Sequence, residues 1–259
     1  MSSRRPRKPY DKYGLYERAV QRPQFDIDFA TRVYRAEHGR VPLALREDFC
    51  GTAFISAEWV RSHPRRTALG IDLDSAPLAW GRKWNAAPLG DAARRLTLLQ
   101  KDVRSVFSPK ADVTVAFNFS YCVFMTRGDL VDYFRKARRG IRRGGAYMLD
   151  GYSGPDSLEP GNEVRSYAKF VYTWDQREMD AITARAKRYI HFKIKGRRGR
   201  MMRAFTYDWR LWSIPELIDA LEEAGFARVE VYDEKKNGYR MVTRAPYKDA
   251  FIPILVAWT

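Results

Sequence analysis

Residues 41–74 constrain the fold more than any other stretch of this 259-residue chain. A short, mostly apolar run at 42–47 predicts a buried parallel strand that ends in a tight turn. A helix is predicted next, from about 52 to 63, and Pro64 lies beyond its end. A second apolar run, 67–71, then leads to Asp72. The segment therefore predicts a strand–turn–helix–strand unit, which is the repeating unit of parallel sheets.

The spacing inside this unit predicts a ligand site. Gly51 lies in the turn, where a residue without a side chain lets the backbone approach a ligand. Asp72 follows 72 − 51 = 21 positions later, close to the roughly 20-residue interval at which βαβ nucleotide folds present a carboxylate to ribose hydroxyls. Phe49 and Ala53 stand where glycines would complete a dinucleotide motif, which argues against a nicotinamide cofactor. Glu47 would repel phosphate and would suit a ligand with an amino group.

Five segments, in order, resemble the motifs of class I S-adenosylmethionine-dependent methyltransferases. They are EDFCGTA at 47–53, GIDLD at 70–74, LLQKDV at 98–103, ADVTVAFNFS at 111–120 and GGAYMLD at 144–150. Residues 212–226 further resemble the last helix of the branch that acts on small molecules. Each motif is weak alone, but their order makes the resemblance specific across residues 41–150.

The resemblance implies that the chain binds S-adenosylmethionine. The acid matching Asp72 would bind the ribose, and the acid matching Asp102 would meet the adenine amino group. The strand that ends at Asn118 would face both the cofactor and the acceptor. The predicted cofactor-binding residues are Glu47, Phe49, Cys50, Gly51, Thr52, Ala53, Asp72, Leu73, Asp102, Val103, Asn118 and Phe119.

The predicted fold is α/β, with a Rossmann-like, seven-stranded, mostly parallel sheet and helices on both faces. Residues 1–40 are predicted to form a basic tail and an N-terminal helical cap. Residues 41–259 would form the methyltransferase domain, with 151–212 inserted as an antiparallel lid whose strands are 167–174, 182–194 and 201–209. Two closing strands, 228–232 and 251–258, would be joined by a long loop.

Helix ends are predicted from capping residues. Ser75 is expected to cap a helix that runs to 91, and Asp129 is expected to cap the next one. Ser213 and Glu216 match a capping box at the start of the last helix. An amphipathic helix is predicted over 26–38, with Gly39 as its C-cap.

The predicted reaction is methyl transfer to an N or O atom of a small molecule held under the lid, where alignment and exclusion of water supply most of the catalysis. No residue stands out as a base. The candidate catalytic residues are Tyr16, Tyr121 and His191. Tyr152 and Asp150 are two further candidates. Residues 118–121 loosely resemble the Asn-Pro-Pro-Tyr motif of methyltransferases that hold planar amino groups, but both prolines are absent.

Composition leaves two alternatives open. The net charge of +16, from 47 basic and 31 acidic residues, favours a nucleic-acid acceptor, although the basic groups are scattered along the chain. The substitutions at Phe49 and Ala53 suit a non-catalytic binding protein that keeps the fold.

With only Cys50 and Cys122, neither a disulfide framework nor a metal site is expected, and the protein is predicted to be cytoplasmic. No apolar run is long enough to predict a membrane span. An exposed aromatic lid could pair two protomers into a homodimer.

Overall fold

The computed structural model describes residues 8–235 and 238–259. The strands are β1 (Ala44–Asp48), β2 (Thr67–Asp72), β3 (Leu96–Gln100), β4 (Ala111–Ala116), β5 (Ile141–Asp150), β6 (Gly161–Ser166), β7 (Phe170–Met179), β8 (Arg185–Ile194), β9 (Met201–Arg210), β10 (Arg228–Lys235), β11 (Gly238–Met241) and β12 (Ile254–Trp258). The α-helices are α1 (Lys12–Ala19), α2 (Pro23–His38), α3 (Phe54–Ser62), α4 (Ser75–Gly81), α5 (Arg127–Arg139) and α6 (Ile214–Glu223). Within the described ranges, no helix has both the length and the apolar character needed to cross a membrane.

The larger sheet has the strand order β11-β10-β12-β5-β4-β1-β2-β3. Strands β1 to β5 run parallel to one another, whereas β12 is antiparallel to both β5 and β10. The carboxyl ends of β1, β2, β3 and β4 therefore meet at one edge of the sheet. That edge is where open α/β sheets bind their ligands.

Apolar side chains pack on both faces of this sheet. Along β5, Ala146 and Met148 join a core with α2 and α3, while Tyr147 and Leu149 join a second core with α5 and α6. This alternation is what a strand buried on both faces requires. The prediction of an α/β fold with helices on both faces of a mostly parallel sheet is confirmed.

The prediction of seven strands is wrong, because the described residues place eight in this sheet. Strand β10 continues to Lys235 and folds back as β11, within what was predicted to be a loop. Tyr239 of β11 packs against Phe29 of α2, with ring centroids 4.6 Å apart. The two residues are more than 200 positions apart in the chain, so no local sequence pattern predicts their contact.

Two predicted helix caps are also wrong. Asp74, not Ser75, caps α4, since its carboxylate accepts from the amide of Ala76. Thr126, not Asp129, caps α5. Helix α4 ends at Gly81. A π-helical turn and a 3₁₀ segment follow it as far as residue 95, whereas a single helix to 91 was predicted.

The other predicted helix ends agree with the structure. Gly39 has a left-handed φ of 66° and closes α2, and the capping box of Ser213 and Glu216 opens α6. Helix α1 lies within residues 1–40, for which a basic tail and an N-terminal helical cap were predicted. Residues 1–7 of that predicted tail lie outside the described residues.

The second sheet is antiparallel, with the order β6-β7-β8-β9, and lies between β5 and α6 in the chain. Strand β6 was not predicted, because all six of its residues are exposed and give no apolar pattern. Strand β8 begins at Arg185, three residues later than predicted, since Ile182 is 96% exposed in a preceding turn. Arg188 interrupts the apolar face of β8 and is nevertheless fully buried.

Candidate active site

The turn after β1 has an unusual backbone. Phe49, Gly51 and Ala53 have φ values of 56°, 52° and 54°, all in the left-handed region. These are the three positions at which the methyltransferase motif that residues 47–53 resemble has glycines. A left-handed residue with a side chain costs roughly 1–2 kcal/mol, so the surrounding packing must hold Phe49 and Ala53 in place. The ring of Phe49 packs against Tyr133 at 5.5 Å, and Ala53 is fully buried.

The open side of this turn faces Asp72. The amide of Gly51 donates to Asp72 Oδ2 at 2.7 Å, and the amide of Asp74 donates to Oδ1 at 2.9 Å. A Cβ atom built on Gly51 would meet no other atom within 4 Å, so space remains for a ligand. Leu73 is 68% exposed beside it. A partly exposed carboxylate, an open glycine backbone and an uncovered apolar side chain fit the adenosyl cofactor that the resemblance implies.

The remaining side chains of the turn point into the protein. Glu47 is buried and accepts bonds from the amide and hydroxyl of Ser56 at 2.8 and 2.5 Å. Burial raises the pKa of Glu47 to about 8. Cys50 is also buried, and burial raises its pKa. Thr52 donates its hydroxyl to Glu17 of α1 at 2.7 Å. These side chains brace the turn, and their predicted contacts with a cofactor stay predictions.

Asp102 follows β3, at the same edge of the sheet as Asp72. Its carboxylate accepts from the backbone amide of Arg104 at 2.7 Å and from Nη2 of the same residue at 2.8 Å. The hydrogen bonds from the Arg104 side chain lower the pKa of Asp102. Val103 is buried in the core beneath. Asp102 is therefore ionised and partly exposed, so it can accept a hydrogen bond from a ligand at this edge of the sheet.

The segment after β4 is tied to the end of β5. Asn118 and Phe119 have left-handed φ values of 60° and 57°. Their backbone amides donate to the two carboxylate oxygens of Asp150 at 2.7 and 2.9 Å. Burial raises the pKa of Asp150 to about 7, and these two amides oppose that rise. Phe119 then stacks on Tyr152 at 5.1 Å.

A cavity of about 420 Å³ adjoins this segment. Three parts of the molecule enclose it: the N-terminal helices, the edge of the larger sheet and the inner face of the four-stranded sheet. Its lining is largely aromatic and includes several charged residues. The lining residues are Tyr16, Ala19, Val20, Arg22, Asp26, Phe117, Asn118, Phe119, Asp150, Tyr152, Glu163, Arg165, Tyr172, Trp174, Ile190, Tyr207, Trp209, Tyr239, Ile252 and Ile254.

Several solved structures that superpose on this chain are methyltransferases. An S-adenosylmethionine-dependent methyltransferase from Clostridium acetobutylicum ATCC 824 superposes with a TM-score of 0.70 at 15% identity, over 94% of this chain and 96% of that one. The amino pentose methyltransferase CalS10 from Micromonospora echinaspora, solved with S-adenosylmethionine bound, gives 0.69 at 14% identity, over 98% and 99%. The sugar N-methyltransferase KedS8 from Streptoalloteichus sp ATCC 53650 gives 0.67 at 16% identity, over 100% and 96%.

The chain has the methyltransferase fold. The resemblance inferred from the five motifs is thus confirmed at the level of the fold, over nearly the whole chain. No protein-family model matches the chain, and no curated protein matches its sequence.

The predicted catalytic residues are not all brought together. Tyr16 lines the cavity and shares a hydrogen bond with Tyr207, and burial raises its pKa. Tyr121 is buried below the cavity, where its hydroxyl donates to the carbonyl of Asp150 at 2.8 Å. Among the described residues that line the cavity, neither Tyr121 nor His191 is present. Tyr152 and Asp150, the further candidates, both line it.

His191 lies within the four-stranded sheet, in a closed set of contacts. Its Nε2 is 3.0 Å from Asp175 Oδ2, and its Nδ1 accepts from the amide of Arg203 at 2.8 Å. Both ring nitrogens therefore have protein partners. This arrangement suits a structural histidine.

Sequence reasoning missed Asp26, which lines the cavity from α2. A signal was present, because Asp26 lies three and four positions before Phe29 and Ala30 and so shares the buried face of the helix. A carboxylate on the core face of an amphipathic helix needs a partner or a function.

Helix α1 is bound to the β1 turn by a buried carboxylate. Glu17 is 3% exposed and accepts from Thr52, from Asn85 at 2.7 Å and from Lys8 at 2.5 Å. On the same helix, Tyr13 lies close enough to Asp72 for that charge to contribute to raising its pKa. Helix α1 therefore spans both the turn and the cavity, which Tyr16 lines.

Proposed function

We propose that this protein is a methyltransferase that moves a methyl group from S-adenosylmethionine to an N or O atom of a small molecule held in the 420 Å³ cavity. The fold supports this, and so do the open glycine turn and the half-exposed carboxylates at one edge of the sheet. Two similar solved structures act on a sugar and on an amino pentose, which favours a small-molecule acceptor.

The observation that carries the proposal is the position of the cavity. Asn118 and Phe119 line it, and they follow β4, the strand that pairs directly with β1. The turn after β1 holds Gly51 and faces Asp72. An acceptor in the cavity would therefore lie next to a ligand in the turn, which is the adjacency that a transfer between two substrates requires.

The cofactor would be held by the residues around this turn. Asp72 would accept hydrogen bonds from the ribose hydroxyls, Asp102 would meet the adenine amino group, and Leu73 would pack against the adenine. When bound, the cofactor supplies a methyl group on a sulfonium. The chain's own contribution is to orient the acceptor and to exclude water, with the four-stranded sheet acting as a lid over the cavity.

Calorimetric titration with S-adenosylhomocysteine tests the cofactor site. The unaltered protein should bind it, and Asp72→Ala should bind about 100-fold more weakly, because two hydrogen bonds to a charged group are lost. Asp72→Asn keeps one oxygen for the amide of Gly51 and separates loss of the ribose contact from collapse of the turn. Asp219→Ala, at an exposed position of α6, is the matched control and should bind normally.

Two results would contradict the proposal. One is absence of binding by the unaltered, folded protein. The other is equal affinity in the unaltered protein and both Asp72 variants, since this would place the ligand away from the β1 turn.

A further inference from the structure

Two carboxyl groups that line the cavity, those of Asp26 and Asp150, have no ion-pair partner within residues 8–235 and 238–259. Asp26 is part of helix α2. Among the described residues, no hydrogen bond to its carboxylate affects its pKa. The carboxylate of Asp150 accepts hydrogen bonds from the backbone amides of Asn118 and Phe119, which are neutral donors. The described part of the cavity wall therefore presents two acids that no described cation pairs with.

The other charged residues of the wall form pairs of their own. Arg22 makes a bidentate pair with Glu234, at 3.0 and 3.1 Å. Arg165 Nε lies 2.5 Å from Glu163 Oε1. Because these pairs are internally neutral, the excess charge of the described cavity lining is the negative charge that Asp26 and Asp150 carry when they are ionised.

Burial raises the pKa of both acids to about 7, and the negative charge of Asp150 adds to the rise at Asp26. The groups that face Asp26 are Arg22, Glu47, Asp150, Glu234 and Tyr239. The further groups that face Asp150 are Tyr16, Tyr121, Cys122, Tyr147 and Tyr239. Of all these, Arg22 alone is cationic, and Glu234 already pairs with it. A cationic ligand would thus supply the missing partner.

Aromatic rings form much of the remaining wall. Trp174 and Trp209 of the four-stranded sheet lie 5.6 Å apart, and Tyr207 packs on Trp209 at 4.8 Å. Tyr16 of α1 and Tyr239 of β11 contribute further rings to the lining. The faces of such rings attract ammonium groups, and the attraction grows when the site is desolvated.

We propose that the acceptor is an amine that enters the cavity as an ammonium cation, and that Asp26 and Asp150 bind it and take its proton. This inference rests on the proposed function and names its substrate class. It also makes Asp26 a catalytic residue, because its carboxylate would touch the reacting nitrogen.

The chemical step balances. One proton moves from the ammonium nitrogen to a carboxylate oxygen, leaving a neutral amine and a carboxylic acid. The nitrogen lone pair then forms a bond to the methyl carbon, while the bond from that carbon to sulfur breaks and the sulfur keeps its electron pair. The methylated nitrogen carries the positive charge that the sulfonium had.

An acid with a pKa of about 7 suits this task at neutral pH. An ammonium group such as that of lysine has a pKa of about 10.4, within reach of a buried carboxylate pair. An alcohol is a much weaker acid, and a carboxylate would take its proton poorly. The chemistry of the cavity therefore favours an amine over a hydroxyl acceptor.

Choline and its neutral isostere 3,3-dimethylbutan-1-ol provide the test, since they share size and shape but differ in charge. Ligand-observed NMR on the full chain should show choline binding about tenfold more tightly than the isostere. Asp26→Asn should remove most of that preference. The matched control is Asp28→Asn, two positions along the same helix and exposed, which should keep it.

The pH dependence supplies a second readout. Choline does not titrate, so its affinity should rise as the two carboxyls ionise near pH 7, and the rise should be smaller in Asp26→Asn. S-adenosylhomocysteine binding, measured on the same samples, reports separately on the proposed function and on the folding of each variant. Equal affinity for choline and the isostere, or a preference unchanged in a folded Asp26→Asn, would overturn the inference.

Discussion

Glu47 lies beneath α3 with its carboxyl bonded to Ser56. Burial raises its pKa from about 4.5 to about 8, so between these values the folded protein holds a proton that the unfolded chain releases. Stability contributed by this group is fully present below about pH 4.5 and is lost as the pH rises through 8. A residue chosen from the sequence as a ligand contact thus has a measurable effect on folding.

Replacing Glu47 with Gln should remove this part of the pH dependence, because the amide oxygen can still accept from Ser56 and the amide does not ionise. Thermal unfolding followed by circular dichroism at about pH 5 and about pH 8 measures it. The fall in melting temperature between the two should be smaller in Glu47→Gln than in the unaltered protein. Glu222→Gln, exposed on α6, should behave like the unaltered protein, and identical falls in all three would refute the buried-acid interpretation.

One side chain, Glu17, provides the buried polar contacts between helix α1 and the β1 turn. Glu17 accepts from Thr52, Asn85 and Lys8, which come from the β1 turn, the π-helical turn after α4 and the start of the described chain. Loss of this carboxylate would leave the hydroxyl of Thr52 and one N–H of Asn85 without their acceptor, while Asn85 keeps its bond to the carbonyl of Thr52. Each unpaired buried donor costs about 1–3 kcal/mol.

Glu17→Ala should therefore loosen α1 from the β1 turn. We expect faster amide exchange across α1 by mass spectrometry and a lower free energy of unfolding, by about 2–4 kcal/mol. Asp28→Ala on α2 is the control, because Asp28 is exposed and bonds to Gln24 at the surface. Protection of α1 that is unchanged in Glu17→Ala would mean that the other contacts of the helix are sufficient to hold it.

Elements with a strong period were predicted well, and elements without one were missed. Helix α2 has a continuous apolar face, and α6 has a capping box, so both followed from local pattern. Strand β6 is exposed along its whole length, and β11 is four residues long. Both exist because a neighbouring strand supplies hydrogen-bond partners, which is information that local sequence does not carry.

At the scale of the whole molecule, the two sheets share a core. Trp209 of β9 and Trp212 are buried in the same apolar cluster as α5 and α6. Helix α1 joins the four-stranded sheet through a separate cluster that includes Leu15 and Ile190. The described parts of the chain are thus connected by continuous packing, which favours cooperative unfolding.

Scanning calorimetry should therefore show one transition, with a calorimetric enthalpy close to the van't Hoff enthalpy. Trp209→Ala should lower the stability of the whole molecule by about 3–5 kcal/mol, because a large buried side chain is removed. Ile182→Ala, in an exposed turn, should change little. Two resolved transitions in the unaltered protein would mean that the four-stranded sheet folds independently.

The sequence by itself determined the alternation of strands and helices over residues 41–150 and the likeness to methyltransferases. It also pointed to the turn at Gly51 and the acids at the strand ends. These features depend on local periodicity and on residue spacing, both of which a single chain displays. Only the tertiary structure decided which side chains share the cavity. It turned Glu47 inward, enclosed His191 and brought Asp26 opposite Asp150, because burial and charge at a site depend on residues distant in the chain.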